Sequence, residues 1–167
     1  AWCCPVCSAK ITAGRRDQLL AGLENWYGSG GKVAFLTLTM PHDYGDDLRR
    51  SVSTVRGAFR RVLQGRGYVA ACASHGIAGF VAAVEVTHGA NGWHPHMHAL
   101  FFLERPLTDS EFRNLQAWLF GRWADGVQRG GYRAPDPRNC PLERVAGPEV
   151  GRYISKFGAA SEVTQWN

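Results

Sequence analysis

Three histidines fall within five residues of the segment "NGWHPHMHALFF" (91–102): His94, His96 and His98. In an extended strand, side chains two residues apart share one face. The imidazoles would therefore converge, and imidazole nitrogens are common ligands for divalent metals. Pro95 weakens the start of such a strand, so His94 is expected at its mouth. His96 and His98 are then the firmer pair. A hard oxygen ligand is offered upstream by Glu85, the one acid in "VAAVEVTH" (81–88). A carboxylate in an apolar run needs a partner, because burying it unpaired is costly. Two imidazoles and a carboxylate with open positions suit Mn²⁺ or Mg²⁺ at a phosphate oxygen, and other divalent metals too. Glu85 is the expected third ligand, with His94 in reserve; His88 and His42 are spare candidates that read as loop residues.

A second stretch, "GPEVGRYISKFG" (147–158), reads as a helix with Pro148 in its first turn. Glu149, Tyr153 and Lys156 are spaced four and three apart, so they share one helix face. A phenol can attack phosphorus as a covalent nucleophile. A nearby ammonium can stabilise the phenolate or the phosphate charge. A carboxylate one turn away can activate a water or hydroxyl. An ordinary amphipathic helix would carry the same three residues, so the pattern gains meaning only beside the histidines.

The five cysteines are unevenly placed: Cys3, Cys4 and Cys7 cluster, while Cys72 and Cys140 stand apart. Cys4-Pro-Val-Cys7 is a knuckle suited to structural Zn²⁺, which takes four ligands. Cys72, Cys140 or a distant histidine would have to complete it, unless further ligands precede it or the thiols are free. The odd count, with no secretory leader to be seen, predicts a reducing, cytoplasmic setting.

These residues need elements to hold them. Residues 8–27 read as a helix with an imperfect stripe of Ile11, Leu19, Leu20, Leu23 and Trp26. "KVAFLTLTM" (32–40) is β-branched and apolar between Gly and Pro, a buried strand. Residues 46–64 place Leu48, Val52, Val55, Phe59, Val62 and Leu63 at helical spacing, with arginines on the other side. Residues 65–78 are rich in Gly and Ala and read as a loop. Strands at 79–88 and 94–103 flank a "GANG" turn at 89–92, which predicts a hairpin. Thr108 to Glu111 forms a capping-box pattern before a helix that turns Phe112, Leu115, Trp118, Leu119 and Trp123 inward. Residues 130–141 read as a loop, and 141–147 as a short strand. The order predicts an α+β fold: a mainly antiparallel sheet of about five strands flanked by helices.

The chain has 167 residues, about one domain, with 45% hydrophobic residues to fill a core. No apolar run is long enough to span a membrane. The net charge is +5, carried by 16 arginines and 3 lysines against 14 acids. Arg-rich coding bias would produce such a balance, but the guanidinium fork also suits phosphate and hence nucleic acid.

Taken together, the motifs resemble those of the HUH endonucleases. "HPHMH" (94–98) is similar to the family's H-U-H signature (U hydrophobic), centred on His96-Met97-His98. "FLTLT" (35–39) resembles its first motif, and "EVGRYISK" (149–156) its catalytic tyrosine helix. The likeness is strongest to rolling-circle replication initiators of small Gram-positive plasmids. One branch of these places a Glu four residues before the nucleophilic Tyr, as Glu149 stands before Tyr153. The resemblance touches residues 2–7, 33–40, 80–103 and 148–157, in the family's order.

The resemblance implies an HUH-like palm and a metal-dependent DNA nicking and joining enzyme. His96, His98 and a third ligand, Glu85 or His94, would hold Mn²⁺ or Mg²⁺ against the scissile phosphate of single-stranded or hairpin origin DNA. Tyr153 would form a 5′-phosphotyrosine, Glu149 would activate water at termination, and Lys156 matches the basic residue after the tyrosine. Host helicase and polymerase would be partners. Relatives carry a "CPVC" element before a basic helix, with more Cys or His upstream. The expectation is therefore one nicking domain over 1–167, with a partial zinc knuckle at 1–10 holding Cys4 and Cys7, cut from a longer initiator.

Two neighbouring chemistries compete. A conjugative relaxase would generally place its tyrosine before the histidines, and a single-tyrosine transposase is usually smaller and lacks "CPVC". A reading of another class is a non-catalytic DNA-binding module with a structural metal. A metal-dependent hydrolase of small phosphates has less support.

Overall fold

The computed structural model describes residues 5–145, 147 and 163–164, with side-chain surroundings for residues 13–145 and 147. Its centre is an antiparallel sheet. β1 (Lys32–Leu38) pairs with β3 (Gly92–Leu103) on one side and β4 (Leu142–Val145) on the other. β2 (Ile77–Gly89) pairs with β3 as a hairpin, and the two-residue β5 (Val163–Thr164) pairs with the outer side of β2. The order is β4-β1-β3-β2-β5, four strands of four or more residues and a very short fifth. The predicted α+β class is the observed one.

The sheet separates two apolar layers. On one face, β1 and β3 contribute Leu36, Leu38, Met97, Ala99 and Phe101. Two helices cover it: α2 (Leu48–Val62) and α4 (Asp109–Arg129), through Val55, Phe59, Val62, Leu115, Leu119 and Trp123. On the other face, Val33, Phe35, Ala83 and Leu100 pack beneath α1 (Pro5–Gly28), which contributes Leu23 with Leu19, Leu20 and Trp26 beside it. The period-two alternation of β1 and β3 therefore sends consecutive residues to different cores.

The local signals act as the sequence implies. Asp47 caps α2, its side chain accepting from the Arg50 N–H. Thr108 and Glu111 form the expected capping box at the start of α4. Gly89 and Gly92 pair across a two-residue turn, and Gly92 has φ of 86° with the Tyr44 backbone against it. No other residue type fits that conformation and that close approach easily.

Three expectations are corrected. Residues 65–78, read as a loop, hold α3 (Gly65–His75) and the start of β2. The alanines there are strong helix formers, and the glycines punctuate the helix ends, with Gly76 closing α3 at φ 63°. His94 was expected outside the ladder, but it pairs with Thr87 inside β3, and His88 lies in β2 rather than a loop. Pro95 is accommodated because β1 ends opposite Met97. Among the described residues, β3 has a neighbour on one side only beyond that point, so the missing N–H can face away from the ladder. The helix expected at 148–157, with Glu149, Tyr153 and Lys156, lies outside the described residues, as does Cys4.

Candidate metal centre

The cluster is built by strand register. Glu85 on β2 stands opposite His96 on β3, and Ala83 stands opposite His98. Glu85 is therefore the direct neighbour of one imidazole and the diagonal neighbour of the other, both on the α1 side of the sheet. Its Oε2 lies 2.9 Å from Nε2 of His96 and 2.9 Å from Nε2 of His98. The three donor atoms all lie within 4.8 Å of one another. Glu85, His96 and His98 form the one such group among the described residues, so the expected ligand set is brought together. His94, the reserve ligand, is beside it, with its ring 5.1 Å from that of His96, but is not one of the three.

Each imidazole is also held from behind. His98 is 1% exposed; its ring stacks on Phe35 at 5.2 Å, and its Nδ1 is 3.3 Å from Oγ1 of Thr37. The Nδ1 of His96 is 3.2 Å from the carbonyl oxygen of His94. A bound cation would select the tautomer that donates each Nδ1–H to these oxygens and frees each Nε2 lone pair, whereas without one the Nε2–H groups donate to Oε2 of Glu85. The former is the arrangement a bound metal requires of neutral imidazole ligands, and the donor set fits a divalent ion. The outermost layer is His42, whose ring stacks on His94 at 4.5 Å.

The charge balance is coherent. Partial burial pushes the Glu85 carboxyl up, but hydrogen bonds and charge from His96 and then His98 outweigh it, leaving its pKa below the ordinary carboxylate value. Glu85 therefore stays ionised at neutral pH, as a ligand must. Burial, then charge from His96 and His42, lowers the His94 pKa against an opposing pull from Glu85.

Thr37 and Phe35 support the ligands from β1 without belonging to the ligand pattern of the sequence. A signal was present: Thr37 and Thr39 are the polar positions of the otherwise apolar "FLTLTM". The direction of Thr37 becomes clear only once β1 pairs with β3 in the register Thr37 to His98. The cysteines divide similarly. Cys140, 1% exposed, sits in the core with its thiol 3.5 Å from the Thr39 amide nitrogen, and Cys72 lies on α3. Neither belongs to a ligand cluster among the described residues.

The chain is similar in sequence to known proteins. Residues 1–123 match the family model described as replication protein. The chain belongs to this replication-protein family. The match spans Thr37, Glu85, His96 and His98 and ends before Tyr153. The chain is 31% identical over 126 residues to a "Protein rep" of Streptomyces lividans, covering 59% of this chain and 28% of that protein. It is 28% identical to a "Neomycin resistance protein" of Streptomyces cyanogenus, covering 59% of this chain and 28% of that protein. It is 29% identical to a "Protein rep" of Lentilactobacillus hilgardii, covering 60% and 32%. The chain thus corresponds to about a third or less of the length of these relatives. Among the described residues, no helix is long and apolar enough to cross a membrane.

Proposed function

We propose that this chain is the nicking and joining domain of an initiator of plasmid rolling-circle replication, working in the cytoplasm on single-stranded or hairpin origin DNA. The observation that carries the reading is the convergence of His96, His98 and Glu85 on one point of the sheet. Membership of the replication-protein family supplies the setting. Mn²⁺ or Mg²⁺ held by these three would polarise a phosphate oxygen as a Lewis acid.

The chain's own residues do the rest. Thr37 and the His94 carbonyl orient the two imidazoles. Tyr153 loses its phenolic proton and its oxygen bonds to phosphorus. The bond from phosphorus to the 3′ oxygen breaks, and that oxygen takes up a proton to leave as a 3′-OH. A 5′-phosphotyrosine remains. Lys156 steadies the phenolate through charge, and Glu149 accepts the proton of the water that later releases the tyrosine. The free 3′-OH primes synthesis by host polymerase behind a host helicase. Cys4 and Cys7 would contribute to a structural Zn²⁺ site completed by ligands elsewhere in the protein.

The test is incubation of the chain with Mn²⁺ and a library of single-stranded DNA, followed by denaturing electrophoresis and peptide mapping. An adduct on Tyr153 that disappears in Tyr153→Phe supports the reading. Tight DNA binding with no adduct in the presence of Mn²⁺ would favour a non-catalytic DNA-binding module instead.

A further inference from the structure

A second surface with its own chemistry lies at the turn end of the β2–β3 hairpin, on the sheet face away from Glu85, His96 and His98. Alternation along the strands sends Val84 and Met97 into the layer beneath α2 and α4, and it sends Val86, His88, Trp93 and Pro95 the same way. Val84 and Met97 belong to that core or pack against it, but nearer the turn the face opens. Val86 is 40% exposed, Trp93 is 42% exposed, and His88 is exposed too. His88 stands directly opposite Trp93, and their rings meet at 4.6 Å with 67° between the planes. Val86 is a diagonal neighbour of Trp93, at a spacing that aromatic side chains bridge. Tyr44, 76% exposed, is at the same end: its backbone lies against Gly92, the residue before Trp93. Three of the four large exposed hydrophobics among the described residues thus gather around one turn.

We infer that Trp93, with His88 against it, is a stacking platform for a base of single-stranded DNA close to the processed phosphate. The inference rests on the proposed nicking of DNA and names a contact for that substrate. The ring chemistry selects the partner. Bases in a duplex cover one another's faces, whereas an unpaired base can leave its neighbours and stack on an aromatic side chain. Tryptophan is highly buried on average, so a Trp exposed to this degree on a strand has ring surface left to cover. The His88 contact restrains the Trp93 ring, and less freedom is then lost when a base arrives. The location suits the same substrate. Trp93 precedes His94, whose carbonyl oxygen is 3.2 Å from Nδ1 of His96. Three residues of strand, about 10 Å, separate the backbone of Trp93 from that of His96. That is about three nucleotides at the rise of a stacked strand. The two side chains point to opposite faces, so DNA held at the metal centre would cross the end of the hairpin to set a base on Trp93. The β1 ladder stops at Met97, which leaves this end two strands wide among the described residues.

The experiment measures, by fluorescence anisotropy, binding of the 167-residue chain to two labelled oligonucleotides of about 16 nucleotides. One has mixed sequence; the other has an abasic sugar at every position, which keeps the phosphates and removes the bases. Trp93→Ala should weaken binding to the mixed-sequence strand by about 5- to 150-fold, the range for one stacked base. It should leave affinity for the abasic strand unchanged. Trp93→Phe keeps a ring and should retain most of the affinity. Trp93→Leu is apolar without a π face, so it should lose affinity as Trp93→Ala does, and it carries the test if the alanine variant does not fold. Wild-type affinity for the mixed-sequence strand in both ringless variants, or an equal loss on both strands, would overturn the inference alone. Self-association of wild type that Trp93→Leu abolishes, with DNA affinity unchanged, would assign the patch to a second copy of the chain instead. A wild-type chain that binds no single-stranded DNA would overturn the replication reading along with the inference.

Discussion

Thr37 decides how well the centre is organised, although it donates nothing to a metal. Its Oγ1 holds the Nδ1 side of His98, which fixes which nitrogen faces Glu85. Loss of such an outer partner generally weakens metal affinity 10- to 100-fold. Thr37→Val should therefore lower Mn²⁺ affinity by about that factor in calorimetric titration, with little change in thermal stability; an unaltered affinity would mean that Thr37 does not orient the ring. Glu85→Ala removes a ligand rather than its support and should weaken binding beyond that range. The residues of this centre were largely legible in the sequence. The spacing of His96 and His98 and the acid in an apolar strand named three of the parts. Thr37, Phe35 and His42 were not legible as such, because their roles depend on pairing and stacking across 61, 63 and 52 residues of chain respectively.

At the scale of elements, the helix ends and one helix crossing are the sensitive points. Glu111 takes hydrogen bonds from Arg105 and from the Thr108 backbone and hydroxyl, and these hold its carboxyl at about 2, against an ordinary 4.5. A carboxyl with a depressed folded-state pKa contributes stability above its unfolded value and loses it as pH falls through the folded one. The stability difference between wild type and Glu111→Gln should thus be full at pH 6 and shrink between about pH 4.5 and pH 2, as read by urea denaturation. A difference that persists at pH 2 would contradict this role. Where α2 crosses α4, a Cβ on Gly126 would sit 2.7 Å from the Ala58 Cα, against backbone that has little room to yield. Gly126→Ala should destabilise the fold by about 1–3 kcal/mol through overpacking. Capping signals and period-two strands were readable because they are local. α3 was not, because alternating Gly and Ala look the same in a loop and in a short helix until Gly65 and Gly76 are seen at its ends. Pro95 misled for a different reason: its cost depends on whether a second strand lies alongside, and β1 stops short of it.

Across the whole molecule, the sheet divides the work between two faces. The α1 side carries the candidate metal centre of Glu85, His96 and His98, and the α2 side carries several arginines beyond its own apolar layer. The net charge of +5 is therefore not spread evenly, since five arginines project from one helix. The α+β class and the hairpin that assembles the centre were legible from element order and the "GANG" turn. The layer assignment was not, since it requires knowing that β1 enters between β3 and β4. The replication-protein family match covers the centre, while the tyrosine that would use it lies downstream. The account's central claim is that these two parts act together. The most direct measurement is mass spectrometry of the chain after incubation with single-stranded DNA and Mn²⁺. The account predicts a DNA-peptide adduct on Tyr153 in wild type, lost in Tyr153→Phe and sharply reduced in His98→Ala. An adduct that persists in Tyr153→Phe, or none in wild type across a library of sequences, would contradict it.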